Sequence, residues 1–319
     1  MARYVKVASL APDYLLLAGR RDTSQAAVDG IIDFWQQQIE AVLPDQPDLI
    51  ILPECSDRYP DHTPDERRAY YAVRGEQVRD ALARIARTNR CYIVYPTIWP
   101  MPDGTWRNTA QLIGRDGSLV GQYHKNFPVI TETEQDGILC GAQPTVLPCD
   151  FGRVGFAICF DLNFEPLRNA YARLKPDLLV FPSMFHGSFL QQAWAYACRT
   201  HFVSAVWSLP SAALSPVGHV LAQTTNYFRH FTVTLNLDCR VIHLDFNWEK
   251  LRAMKRKYGP EARFTDPGLL GAVLISSESD RFTADDLVRE FGFELLDDYM
   301  ARSTAHRENP AHREAVAIK

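Results

Sequence analysis

Residues 48–54 read Asp-Leu-Ile-Ile-Leu-Pro-Glu, an apolar run of four closed by proline with a carboxylate just beyond it. A continuous run of this kind fits a strand buried on both faces, as in a parallel sheet covered by helices, better than a strand with one wet face. The flanking sequence agrees. Upstream, Tyr4 to Leu10 alternates as a strand, and Ala27, Val28, Ile31, Ile32, Trp35, Ile39 and Val42 recur at helical spacing. Downstream, a helical stretch from about Glu76 to Thr88 leads to a second apolar strand, Cys91 to Thr97. Alternating strands and helices predict a mixed α/β sheet protein whose functional groups gather where strands end.

Further along, Trp106–Ile113 and Ser118–Tyr123, joined by Gly114-Arg115-Asp116-Gly117, read as a hairpin with an Asp-Gly turn, and Lys125 stands just past it. Val154–Phe160 and Leu178–Pro182 are again apolar strands, separated by a helical segment over Glu165–Leu174. Gln191–Arg199 reads as helix, and Phe202–Leu209, His219–Ala222 and Phe231–Leu237 as later strands. No internal repeat is visible. After Asp238 the pattern weakens into charged helical pieces, Trp248–Tyr258 and Ala284–Tyr299, and the polar stretch from Thr304 is expected to be poorly ordered. The expected division is one domain over residues 1–238 and a C-terminal extension over 239–319, packing on the domain or on a partner subunit.

The 319 residues are 46% hydrophobic and 23% charged with a net charge of −4, a balance that suits a soluble globular protein and leaves nucleic acid an unexpected partner. No run approaches the roughly 18 apolar residues that span a bilayer. The opening Met1-Ala2-Arg3-Tyr4-Val5-Lys6-Val7 runs into a strand instead of a signal peptide, so a cytoplasmic protein with no membrane partner is expected. The seven cysteines are odd in number and contain no Cys-x-x-Cys pair, which argues against a disulfide framework or a zinc site. Cys91, Cys198 and Cys239 read as small buried hydrophobes.

Three strand ends carry chemistry: Leu52-Pro53-Glu54, Tyr123-His124-Lys125, and Gly155-Phe156-Ala157-Ile158-Cys159-Phe160-Asp161. Taken singly, each has an ordinary explanation as a buried thiol, a solvated carboxylate or a surface lysine. Together they supply an acid, a cation and a thiol. A carboxylate can take the thiol proton, the sulfur can attack an amide or nitrile carbon, and an ammonium can stabilise the oxyanion, with no cofactor and no metal required. A thiol ordinarily titrates near ~8.5, so at neutral pH it needs such a neighbour to react.

These motifs, in this order, resemble the nitrilase superfamily of carbon-nitrogen hydrolases. The 71 residues from Glu54 to Lys125 and the 34 from Lys125 to Cys159 agree with that family's layout. So do Trp106-Arg107-Asn108-Thr109-Ala110, the Asp116-Gly117 turn, and Lys175-Pro176-Asp177-Leu178-Leu179-Val180-Phe181-Pro182-Ser183. The similarity runs over roughly residues 4 to 238. It implies a four-layer αββα sandwich that forms a homodimer or larger homo-oligomer. It also implies Glu54 as general base, Lys125 as oxyanion stabiliser, Cys159 as nucleophile and the Phe160 backbone N–H as second oxyanion donor. Many members carry another glutamate between the lysine and the cysteine. Glu134 is the favoured match, because its distance to Gly141 resembles the family's, with Glu132 as the alternative.

Phe160-Asp161 after the cysteine, instead of Trp-Glu, resembles the amidase and carbamoyl-amide branch more than the nitrile-cleaving one. The implied reaction is hydrolysis of a small amide or N-carbamoyl compound through a thioester, releasing ammonia or an amine. Nitrile hydrolysis, acyl transfer to an amine and a non-catalytic ligand-binding homologue remain alternatives. Tyr59, Asn163, Phe185 and His186 are the candidate pocket residues. His186 stands out because it follows Pro182-Ser183-Met184-Phe185, a region that often faces substrate in this family.

Overall fold

The computed structural model describes residues 2–314. Residues 4–237 form one compact unit; residues 238–314, with residues 2 and 3, form a second.

The larger unit contains β1 (Tyr4–Leu10), α1 (Gln25–Glu40), β2 (Leu49–Ile51), α2 (Pro64–Arg74), α3 (Gln77–Asn89), β3 (Tyr92–Pro100), β4 (Trp106–Ile113), β5 (Leu119–His124) and the short α4 (Ile130–Glu134). It continues through β6 (Val146–Cys149), β7 (Gly152–Phe156), α5 (Glu165–Leu174), β8 (Leu178–Ser183), α6 (Phe189–Cys198), β9 (His201–Val206), β10 (Ala212–Leu214), β11 (Val220–Gln223) and β12 (His230–Asn236). Two six-stranded sheets result, ordered β12-β1-β2-β3-β4-β5 and β11-β10-β9-β8-β7-β6.

The run at residues 49–52 is fully buried because successive side chains enter two different cores. Leu49 and Ile51 join Val5, Val94, Phe156, Leu178 and Val180 between the sheets. Ile50 and Leu52 pack with Val28, Ile31, Trp35 and Leu82 of α1 and α3. The second sheet divides in the same way: Leu178 and Val180 point inward, while Leu179 and Phe181 meet Leu167, Tyr171, Trp194 and Ala195 of α5 and α6. The layers are therefore helix, sheet, sheet, helix, as the resemblance implied.

Each sheet has three parallel central strands, β1-β2-β3 in one and β7-β8-β9 in the other. Each is continued by an antiparallel pair, β4-β5 or β10-β11, and closed on its other side by an antiparallel edge, β12 or β6. This is a duplication of topology that leaves no trace in the residue pattern. Helix α2 is also absent from the sequence reading. Its buried residues are Tyr70, Tyr71 and Arg74, too few and too polar for an apolar stripe; Pro64 at its first turn and a Thr63–Glu66 capping box start it.

The strand expected over Val154–Phe160 stops at Phe156. Ala157 N still donates to Val180 O at 3.1 Å. The backbone then turns at Cys159, with φ +50°, into a 3-10 segment through Asn163.

The smaller unit corrects the expectation of helical pieces alone. It holds a three-stranded antiparallel sheet of β13 (Cys239–His243), β14 (Ala262–Thr265) and β15 (Ala272–Ser277), ordered β13-β15-β14. Ile242, Val273 and Ile275 form a core with Leu251 and Met254 of α7 (Trp248–Tyr258) and Leu287 of α8 (Ala284–Phe291). The helix expected over Ala284–Tyr299 breaks at Gly292, φ +62°, and resumes as α9 (Leu296–Glu308), so part of the stretch expected to be poorly ordered is helical. Among the described residues, no helix is long and apolar enough to cross a membrane.

Candidate active site

Glu54 lies just past β2, where Leu52 N still bonds Val94 O and Trp207 Nε1 donates to the Glu54 carbonyl at 2.7 Å. These contacts fix the backbone and send the carboxylate inward, 2% exposed. Lys125 follows β5 directly, its N–H on Asn108 O at 2.8 Å. Its buried Nζ lies 2.9 Å from Glu54 Oε1 and 2.8 Å from Glu132 Oε2. Asn108 repeats that bridge from β4, its Nδ2 2.9 Å from Glu54 Oε1 and 3.0 Å from Glu132 Oε1. Two carboxylates thus share one ammonium and one amide.

Cys159 comes from the other sheet. A non-glycine residue in the left-handed region costs of order 1–3 kcal/mol and persists only when its surroundings impose it. Asp161, fully buried, supplies the constraint. Its carboxylate accepts from Ile158 N at 2.9 Å, from Phe127 N at 2.8 Å and from the Tyr123 hydroxyl at 2.7 Å, tying the cysteine turn to the segment that carries Lys125. Burial raises the Asp161 carboxyl to about 6 even against those hydrogen bonds.

Met184 N donates to Glu54 Oε2 at 3.1 Å, and Glu54 and Cys159 line the same cavity. Burial opposes charge on Glu54, but the Lys125 ammonium and hydrogen bonds from Lys125, Cys159 and Asn108 outweigh it and hold the carboxyl below its usual range. On Lys125 burial is likewise overcome, by Glu54 and Glu132, and the ammonium is held above its usual value. Burial, then the Glu54 charge, pushes the Cys159 thiol up to about 12. The resting site is therefore a neutral thiol beside a carboxylate and an ammonium.

A cavity of about 450 Å³ opens over Glu54, Lys125, Glu132, Cys159 and Met184, and Arg58, Arg67 and Asp136 also line it. The structure reverses the sequence preference between the two glutamates. The turn of α4 brings Glu132 onto Lys125, with Val129 N donating to its Oε2 at 2.8 Å, and leaves Glu134 exposed. The four pocket candidates lie outside the cavity lining. Tyr59 is fully buried in the α1 core with its hydroxyl on Ala27 O. Asn163 is exposed and bonds Phe160 O. Phe185 packs against the α5–α6 core, and His186 Nδ1 accepts from Ser188 N in its own loop.

Residues missed as site groups are Asn108, Asp161, Met184 and Arg58. The first three sit inside motifs already quoted, and their signal was adjacency to Lys125, Cys159 or the Pro182-Ser183 strand end. Among the described residues, no group of three or more histidine, cysteine, aspartate or glutamate side chains is disposed to hold a metal ion.

Comparison with known proteins adds a family to this geometry. The model of a family described as carbon-nitrogen hydrolase matches residues 7–243. The chain is 30% identical over 141 residues to a chloroplastic omega-amidase of Arabidopsis thaliana, covering 37% of this chain and 38% of that protein. It is 25% identical over 219 residues to omega-amidase NIT2-B of Xenopus laevis, covering 61% of this chain and 78% of that one. In fold it is similar to the NitFhit protein of C. elegans, with a TM-score of 0.63 at 19% identity over 82% of this chain and 66% of the other.

Proposed function

The chain belongs to the carbon-nitrogen hydrolase family, and we propose that it hydrolyses a small amide through a thioester on Cys159. The observation that carries this reading is the Glu54 carboxylate, which meets the Lys125 ammonium and the Cys159 thiol in one cavity. Because the resting thiol is neutral, Glu54 takes its proton as the sulfur bonds to the carbonyl carbon. The negative charge that develops on oxygen falls to Lys125 Nζ and the Phe160 N–H. Glu54 returns the proton to nitrogen as the carbon–nitrogen bond breaks, and ammonia or an amine leaves. Water then loses a proton to Glu54 and attacks the thioester; the carbon–sulfur bond breaks, the sulfur regains a proton, and a carboxylic acid is released.

Glu132 keeps Lys125 charged and fixed between two carboxylates. Phe160-Asp161 after the nucleophile favours an amide over a nitrile, and the omega-amidase names of the relatives point the same way. The resemblance also leads us to propose a homodimer as the working assembly.

The test is ammonia release from a panel of small amides, N-carbamoyl amino acids and nitriles by wild type and Cys159→Ala. Release from amides that vanishes in the variant, with an acyl adduct on Cys159 trapped by mass spectrometry, supports the reading. Turnover retained by Cys159→Ala overturns it.

A further inference from the structure

A second cavity, of about 470 Å³, lies wholly within the smaller unit and shares no lining residue with the one over Cys159. Trp248, Leu251, Arg252, Lys255 and Arg256 line it from α7, and Phe264 from β14. Positions 248, 252 and 256 are four apart, as are 251 and 255, so one face of α7 supplies all but one of these residues. That lining is half apolar and half cationic. Leu251 is buried, whereas Trp248 and Phe264 remain 48% and 37% exposed and leave aromatic surface uncovered.

Three cations line the cavity and no carboxylate does, although the chain as a whole carries a net charge of −4. The three are not equally committed. Lys255 Nζ donates to Gly259 O at 2.7 Å and to Ala262 O at 3.2 Å, which serves the end of α7. Arg252 Nη1 meets Glu249 Oε1 at 2.7 Å, but both side chains are well exposed, and such a pair is worth little. The Arg256 guanidinium has no hydrogen-bond or ion-pair partner among the described residues. A concave lining of one sign concentrates the opposite charge, and exposed rings offer a face for stacking.

We propose that this cavity is a second ligand site, for a small molecule that joins a planar aromatic ring to an anionic group. The ring stacks on Trp248 or Phe264, and Arg256, with Arg252 beside it, meets the anion through the planar fork that suits an oxyanion. A nucleoside monophosphate and an aromatic carboxylic acid both carry that combination. An uncharged ring or a free inorganic anion carries only half of it. The volume falls within the roughly 300–1,000 Å³ that small-molecule sites occupy.

The experiment is calorimetric titration of the whole chain with adenosine 5′-monophosphate and with indole-3-acetate, the two sources of the anion, and with adenosine and inorganic phosphate as their halves. At least one aromatic anion should bind, about tenfold or more tighter than either half, and more weakly as salt rises. Trp248→Ala and Arg256→Gln should each weaken it about tenfold, the effect of one lost stacking or charge-assisted contact. Lys257→Gln removes a cation of the same helix that pairs with Glu290 outside the cavity, and should leave binding unchanged. These side chains are exposed, so thermal melting should stay near wild type; if Trp248→Ala melts early, Trp248→Leu removes the ring and keeps apolar bulk.

The tighter of the two aromatic anions identifies whether the site takes phosphate or carboxylate. Absence of binding by both overturns the proposal, and so does binding that survives both Trp248→Ala and Arg256→Gln. Equal affinity for phosphate alone would leave the rings without a role, and equal weakening by Lys257→Gln would mean general attraction to a basic helix; either overturns it. Ammonia release is no part of this readout, so the outcome stands apart from the reading of the Cys159 site.

Discussion

Two buried ion clusters begin three residues apart, at Glu54 and at Asp57, and they differ in one respect that decides their use. Asp57 meets Arg74 Nη1 at 2.6 Å, the Tyr95 hydroxyl at 2.6 Å and Thr97 Oγ1 at 2.9 Å. Both charged side chains are at most 1% exposed. One cation meets one carboxylate whose oxygens are filled by donors. Around Lys125 the balance is different: two carboxylates share one cation, and Glu54, whose second oxygen accepts from Met184 N, lines a cavity together with the Cys159 thiol. A matched buried pair is inert framework, whereas an unmatched one leaves an acceptor available for a proton.

The largest test of this contrast removes the proton donor. Cys159→Ala should lower ammonia release by about 10⁴-fold or more, and Glu54→Gln by a similar factor, because the groups act as a unit. Thermal melting should stay near wild type in Cys159→Ala. Next in size is the framework pair. Arg74→Met strands a buried aspartate and should cost about 3–5 kcal/mol in chemical denaturation, with the activity of each folded molecule retained. If Arg74→Met instead abolished turnover in fully folded protein, the two clusters would be one machine and the distinction would fall.

A smaller effect separates the two glutamates of α4. Glu132→Gln leaves Lys125 with a single carboxylate and should lower kcat by roughly 10–100-fold, short of the full effect of losing a general base. Glu134→Gln, at an exposed side chain, should change stability by no more than about 0.5 kcal/mol and leave kcat alone. A reversed order would restore the choice made from spacing.

That choice illustrates what the sequence could convey. Glu54, Lys125 and Cys159 were legible because each ends an apolar or alternating run, and strand ends can be read from periodicity alone. Choosing between Glu132 and Glu134 requires the rotation of a five-residue helix, which residue order does not encode strongly. The same holds for pocket walls. Tyr59 and Arg58 are neighbours in sequence, yet one is fixed in the α1 core and the other reaches the cavity, because the decision rests on contacts with Ala27 and Met184 made across long stretches of chain. In the smaller unit, Ala272-Val273-Leu274-Ile275 is an apolar run short enough to be masked by charged surroundings. The duplicated sheet topology was invisible because burial on both faces asks only for apolar residues, not for particular ones.

The finest test concerns the proton that both carboxylate clusters compete to exclude or accept. With Glu54 held below the ordinary carboxylate range, its pairing with Lys125 contributes fully above that range and is lost only as the pH falls through the lowered value, so the base stays ionised under mild acid. With Cys159 pushed up to about 12, the thiol stays protonated at every working pH, and its proton leaves only during attack. Alkylation of Cys159 by iodoacetamide, followed by mass spectrometry across pH, should therefore show no inflection near ~8.5, where an ordinary thiol would have one. Amide hydrolysis should likewise be level through neutrality, since the proton moves between two groups of the site and not to solvent. A break between about 6 and 8.5 would reveal a resting thiolate of the kind found in thiol–imidazolium pairs. Glu54 would then serve only to orient the sulfur, and the unmatched carboxylate, which distinguishes this cluster from the one at Asp57, would not be its proton acceptor.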